Sequence, residues 1–117
     1  MPRIDHVAFE SDDPARAAAF YEEVLGARIV EAEGHPTMAY LGGATAIALH
    51  EQGGPGFHVA MRVSEEERAR IRALLDERGI PHEERDHEIA VGLFFEDPEG
   101  RRLEAITYRT GDDPRRL

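Results

Sequence analysis

The opening strand Ile4-Asp5-His6-Val7-Ala8-Phe9 returns as Phe57-His58-Val59-Ala60-Met61, with His6 and His58 standing 52 residues apart. At the same offset Arg16-Ala17 meets Arg68-Ala69. A repeat of this period constrains the fold more than composition does, because one supersecondary unit is written twice and each copy opens on a histidine at the same strand position. With 117 residues in all, the chain can build one compact core but not two. The copies are therefore expected to share a single domain over 1–117: module one at 1–51, a hinge at 52–56, module two at 57–110 and a frayed tail at 111–117.

Each copy reads as βαβββ. After the first strand, Ser11-Asp12-Asp13-Pro14 caps a helix, with proline at the first helical position, where its missing N–H costs nothing. Ala17, Phe20, Tyr21, Val24 and Leu25 form its apolar stripe, and Gly26 suits the left-handed residue past its end. Strands are expected over 27–32, 37–41 and 44–49, separated by Gly34-His35-Pro36 and Gly42-Gly43. Gly53-Gly54-Pro55-Gly56 joins the copies. In the second, Ser64 and Glu67 make a capping box, Ile71, Leu74 and Leu75 the buried stripe, and Gly79 the stop. Strands follow at 80–84, 89–95 and 103–108, the last two joined by Asp97-Pro98-Glu99-Gly100.

Composition removes whole classes of function. A net charge of −10 with no basic run repels nucleic acid and anionic membranes, so a small-molecule or protein partner is favoured. No apolar run is long enough to span a bilayer and no signal-peptide region opens the chain, so a cytoplasmic protein is expected. All 14 basic residues are arginine and there is no cysteine, which excludes lysine Schiff bases, thiolate nucleophiles and thiolate metal sites.

Strand alternation then selects the chemistry. Val7 and Phe9 face the helix while His6 and Ala8 face away; Val59, Met61 and Val63 repeat the first set, and His58, Ala60 and Arg62 the second. In the last strand Glu104, Ile106 and Tyr108 share one parity. A carboxylate on a covered face needs a partner. Two imidazoles and Glu104 on one concave face supply it through a divalent metal, in the 2-His-1-carboxylate pattern that leaves coordination positions open. His50 is out of phase with Ile47 and is read as structural or exposed; His35 and His82 lie beside prolines in turns and are read as solvated; His87, in the acidic run 83–88, is a candidate proton shuttle.

The paired βαβββ units, Ile4-Asp5-His6-Val7, Ala19-Phe20-Tyr21 before Leu25-Gly26, and Asp97-Pro98-Glu99-Gly100-Arg101-Arg102-Leu103-Glu104 resemble the vicinal oxygen chelate superfamily, over residues 4–108. That superfamily includes glyoxalase I, extradiol dioxygenases, methylmalonyl-CoA epimerases, fosfomycin-modifying enzymes and metal-free bleomycin-binding proteins. The resemblance implies an α+β fold in which two tandem modules form an open eight-stranded barrel, with metal ligands falling on His6, His58 and Glu104. Setting Gly43 against Gly100 places Ile47 opposite Glu104, where the glyoxalase and epimerase relatives carry a fourth ligand. The lysine and serine-rich loop of the fosfomycin-modifying relatives is missing from 84–92. Phe94 stands ten residues before the glutamate, where many extradiol dioxygenases have tyrosine.

The expected function is dioxygenase-type chemistry on a vicinal diol or catechol-like small molecule at Fe(II) or Mn(II), with zinc or nickel possible. Arg62 and Tyr108 would hold the substrate's charged or phenolic end, and Phe94 and Ile47 would wall the cavity. The alternatives are a sequestering protein for an antibiotic or another aromatic ligand and a glyoxalase-like lyase or isomerase. A homodimer is expected, because both modules leave sheet edges that a small chain covers poorly.

Overall fold

The computed structural model describes residues 1–116. The order is β1 (Arg3–Ser11), α1 (Pro14–Leu25), β2 (Arg28–Val30), β3 (Thr37–Tyr40), β4 (Ala46–Glu51), β5 (His58–Arg62), α2 (Glu65–Glu77), β6 (His82–Asp86), β7 (Ala90–Glu96) and β8 (Arg102–Tyr108). This is the βαβββ unit twice. All eight strands form one curled sheet in the order β2-β3-β4-β1-β5-β8-β7-β6, which no hydrogen bonds close into a barrel. At its centre β1 and β5, the two histidine strands, pair antiparallel; β1 also pairs parallel with β4, as β5 does with β8. The repeat thus becomes an approximate two-fold axis between β1 and β5, and both histidine strands face the same concavity.

Both helices begin as their capping residues require. The Asp13 carboxylate accepts from the Arg16 N–H, Pro14 follows it, and Gly26 ends α1 at φ 70°. Ser64 and Glu67 satisfy each other's backbone N–H groups reciprocally at the start of α2. The helices pack unevenly. α2 lies against β8 and buries Leu75 with Val63, Leu93 and Ala105, but Leu74 is left outside. α1 lies on β3 and β4 through Ala17, Ala18 and Tyr21, while Phe20, Val24 and Leu25 are more than half exposed, against the expected stripe. The physical reason is that α1 covers only its own module's outer strands. The helix-side face of the central strands stays open as well, with Ile4 and Phe57 exposed and the Phe9 and Phe57 rings stacked 5.5 Å apart.

The two sheet edges are β2, of only three residues, and β6, whose His-Glu-Glu-Arg-Asp makes a charged edge that resists pairing. One further expectation needs correcting: the tail, expected to fray, is folded over its described part, Leu117 lying outside the described residues. A short 3-10 turn, Pro114–Arg116, follows Asp113, which is buried and accepts hydrogen bonds from the Tyr40 hydroxyl at 2.6 Å and the Arg115 guanidinium at 2.9 Å. Arg28 donates to the Arg116 carbonyl, and both guanidinium groups stack on the Tyr40 ring. The tail ties β3 of module one to the end of module two.

Candidate metal centre

The concave face is lined at its core by small residues. Ala8, Ala46, Ala48, Ala60 and Ala90 are all buried there, and their short side chains leave a cleft of about 1170 Å³ between the modules. His6, His58 and Glu104 stand in its floor. His6 sits in β1 opposite Ala46 and Ala60, His58 opens β5 opposite Ala8, and Glu104 in β8 lies opposite Ala60 and Phe94. Each is at most 6% exposed. One ligand atom from each comes within 4.8 Å of the other two, so the group could hold a metal ion. Oε1 of Glu104 lies 3.3 Å from Nε2 of His58 and 3.7 Å from Nε2 of His6. Two donors bound roughly 2.1 Å from one ion, at right or tetrahedral angles, would lie about 3.0–3.4 Å apart; the His58–Glu104 spacing falls in that range, and His6 would have to close in by a few tenths of an ångström to join it.

The outer contacts fit as well. Nδ1 of His58 is 2.9 Å from the Gly56 carbonyl, and Nδ1 of His6 is 2.7 Å from the Asp5 carboxylate. With a metal bound, each acceptor would take the Nδ1–H and so free Nε2 as a ligand, the tautomer that a metal requires. Oε2 of Glu104 contacts Nε2 of His87 at 3.0 Å. The carboxylate lies against Gly92, where a Cβ would fall on Oε2 and only 3.0 Å from Cδ. Burial alone would raise the Glu104 pKa, but the His58 and His87 contacts outweigh it and hold the carboxyl at about 2. The glutamate is therefore a ready anion at neutral pH.

Asp5 is the residue that strand alternation missed. A β-bulge between Ile4 and His6 makes Asp5 an extra residue in β1, turning Asp5 and His6 inward together while Ile4 and Val7 stay on the helix side. Asp5 is 1% exposed, and its carboxylate accepts from His6, from the Tyr108 hydroxyl at 2.7 Å and from Arg62 at 2.8 and 3.1 Å. Burial pushes its pKa up, yet the hydrogen bonds from His6, Tyr108 and Arg62 bring it down to about 2. Arg62 also reaches Asp112 of the tail at 2.7 Å. The structure thus gives Arg62 and Tyr108, expected to hold substrate, a different occupation: both are bonded to the carboxylate behind His6.

Register corrects two more readings. Ile47 pairs with Val7 and Ala39 and lies on the helix side, so it walls nothing; the residue that stands to Ala8 as Glu104 stands to Ala60 is Ala48. The turn before β4 is one residue longer than the Gly100 alignment assumed. The absence of a donor at the fourth position survives, because alanine has none. The same shift turns His50 inward: it is half-buried on the cleft wall with its ring 6.1 Å from that of His58, and burial, then the charge of His58, lowers its pKa to about 4. Phe94 is buried beneath the cleft, its ring meeting His58 edge-on at 5.2 Å. His87, a shuttle candidate by sequence, is fixed on Glu104. His82 is held by the Ile80 carbonyl and Asp76 rather than free in solvent, and His35 is half-buried on the cleft wall.

The chain belongs to the glyoxalase-like domain family, whose model matches residues 6–106. It thereby falls within the vicinal oxygen chelate superfamily. No curated protein matches the sequence. Among solved structures, a hypothetical protein from Bacillus halodurans is 20% identical, with 92% of this chain and 95% of that one covered and a TM-score of 0.70. Methylmalonyl-CoA epimerase from Mycobacterium tuberculosis is 23% identical over 90% of this chain and 87% of its own, at 0.67. The Streptomyces coelicolor methylmalonyl-CoA epimerase is also 23% identical, over 96% and 98%, at 0.66. These likenesses concern the fold.

Proposed function

We propose that the chain is a metal-dependent enzyme in which His6, His58 and Glu104 hold Fe(II) or Mn(II), with zinc or nickel possible, and that it carries out dioxygenase-type chemistry on a vicinal diol or catechol-like molecule. The observation that carries this reading is the three-donor group facing Ala48, since two imidazoles and one carboxylate, with no fourth ligand grouped with them among the described residues, leave adjacent positions for two substrate oxygens. When bound, such an ion supplies Lewis acidity to those oxygens. The protein's own groups do the rest. Asp5 and the Gly56 carbonyl fix both imidazoles, Phe94 shields His58 from water, and the alanine-lined floor admits a planar ring. His87, on the outer oxygen of Glu104 and about a third exposed, can pass a proton between that carboxylate and solvent.

Purified protein should contain or take up one divalent ion per chain, and Glu104→Ala should lose it, as plasma emission or isothermal titration will read. Full metal content in that variant would remove the assignment. Anaerobic loading with iron, followed by oxygen uptake on a catechol panel, tests the reaction. Aromatic binding that survives EDTA, together with no oxygen uptake, would instead favour a sequestering protein.

We also propose a homodimer, now on the open helix-side face of β1 and β5 rather than on the sheet edges. Exposed Phe20, Val24 and Phe57 are large apolar groups of a kind that association covers. Light scattering at micromolar concentration should return twice the 13.1 kDa chain mass. A monomer there would reject it.

A further inference from the structure

Resting on that reading of the metal centre, the charge of the cleft narrows what can enter it. We propose that the site takes vicinal-oxygen ligands whose remote end is uncharged or cationic, and that it turns away acyl-CoA thioesters and other multiply anionic molecules.

The cleft walls carry Asp12, Asp13, Glu31, Glu51 and Glu88, none of which has an arginine or histidine partner among the described residues. The two arginines of the lining are already neutralised, Arg85 by Glu83 at 3.0 Å and Arg115 by Asp113 at 2.9 Å. There is no lysine anywhere in the chain. One element would favour an anion at the mouth, the N-terminus of α1, but the Asp13 carboxylate already caps it through the Arg16 N–H. A divalent ion on Glu104 leaves one net positive charge in the floor, and two substrate oxygens that lose a proton there cancel it. The wall charges remain. They surround whatever extends from the chelated head towards solvent, and in a cleft with low-dielectric walls a field of one sign changes ligand capture by a factor of ten or more at low salt. A phosphate-bearing tail meets this field with no lysine and no unpaired arginine of the lining to receive it; an amine meets carboxylates.

The test varies the tail while keeping the head. With Mn(II)-loaded protein under argon, calorimetry on dopamine, methylcatechol and dihydroxyphenylacetate should rank affinity in that order, with at least tenfold between cation and anion at low ionic strength and convergence in molar salt. Equal or reversed affinities overturn the proposal. If none of the three binds in a metal-dependent way, the functional reading fails instead, and the charge argument is decided separately by a cleft thiol in this cysteine-free chain. His50→Cys, or Thr37→Cys as a second position, should react at least tenfold faster with a trimethylammonium methanethiosulfonate than with its sulfonate counterpart, after each rate is normalised to a free thiol. Replacing Glu31, Glu51 and Glu88 by glutamine should cut that preference by more than half. Equal normalised rates in the unmodified cleft, or a preference undiminished without the three glutamates, overturn the inference.

Discussion

Gly92→Ala should weaken metal binding by roughly 10- to 100-fold while leaving the fold intact, the scale seen when groups that orient a ligand are disturbed. β7 passes Glu104 so closely that an added methyl group would occupy the place of Oε2 and lie 2.9 Å from Nε2 of His87. The carboxylate has nowhere to retreat. Its other oxygen is already 3.3 Å from His58, and the side chain is 2% exposed. The strand itself tolerates alanine, so the loss should appear in titration with Mn(II) or Zn(II), with the far-ultraviolet dichroism unchanged. Undiminished affinity would mean that Glu104 is not held by its contact with Gly92.

Asp5→Ala carries the other large effect, a loss of about 3–5 kcal/mol in stability, because it strips the buried partner from Arg62 and leaves the Tyr108 hydroxyl and the His6 Nδ1–H without an acceptor. The variant should also bind metal more weakly, since His6 would no longer be held in the tautomer that frees Nε2. Urea denaturation reads the first effect and metal titration the second. The pH dependence has a definite sign. Asp5 and Glu104 are held at about 2 in the folded chain against ordinary values of 3.8 and 4.5, so the unfolded chain binds protons first and their contribution, complete above those ordinary values, is lost as pH falls from about 4 towards 2. Asp5→Ala should flatten the acid limb. An unchanged acid midpoint together with unchanged stability would show that the network contributes nothing.

The 52-residue offset, visible by reading alone, determined two βαβββ units in one fold and placed His6 and His58 as counterparts. Caps at Asp13-Pro14 and Ser64/Glu67 determined where both helices begin, because a cap is a local hydrogen-bond problem that three or four residues solve by themselves. Parity along β8 likewise set Glu104, Ile106 and Tyr108 on the concave face, since strand alternation is a property of the backbone. Only the tertiary structure decided what depends on neighbours. The bulge that turns Asp5 inward, the longer turn that exchanges Ile47 for Ala48 and swings His50 into the cleft, and the contact of Gly92 with Glu104 all arise from register between strands distant in sequence. A shift of one residue reverses every side chain that follows, and nothing in a single strand's composition records that shift. The tail shows the same division. Gly111-Asp112-Asp113-Pro114 has no apolar period to announce it, yet Asp113 is buried because Tyr40 and Arg115 converge on it, a meeting that exists only once β3 and the end of β8 have been brought together by the sheet.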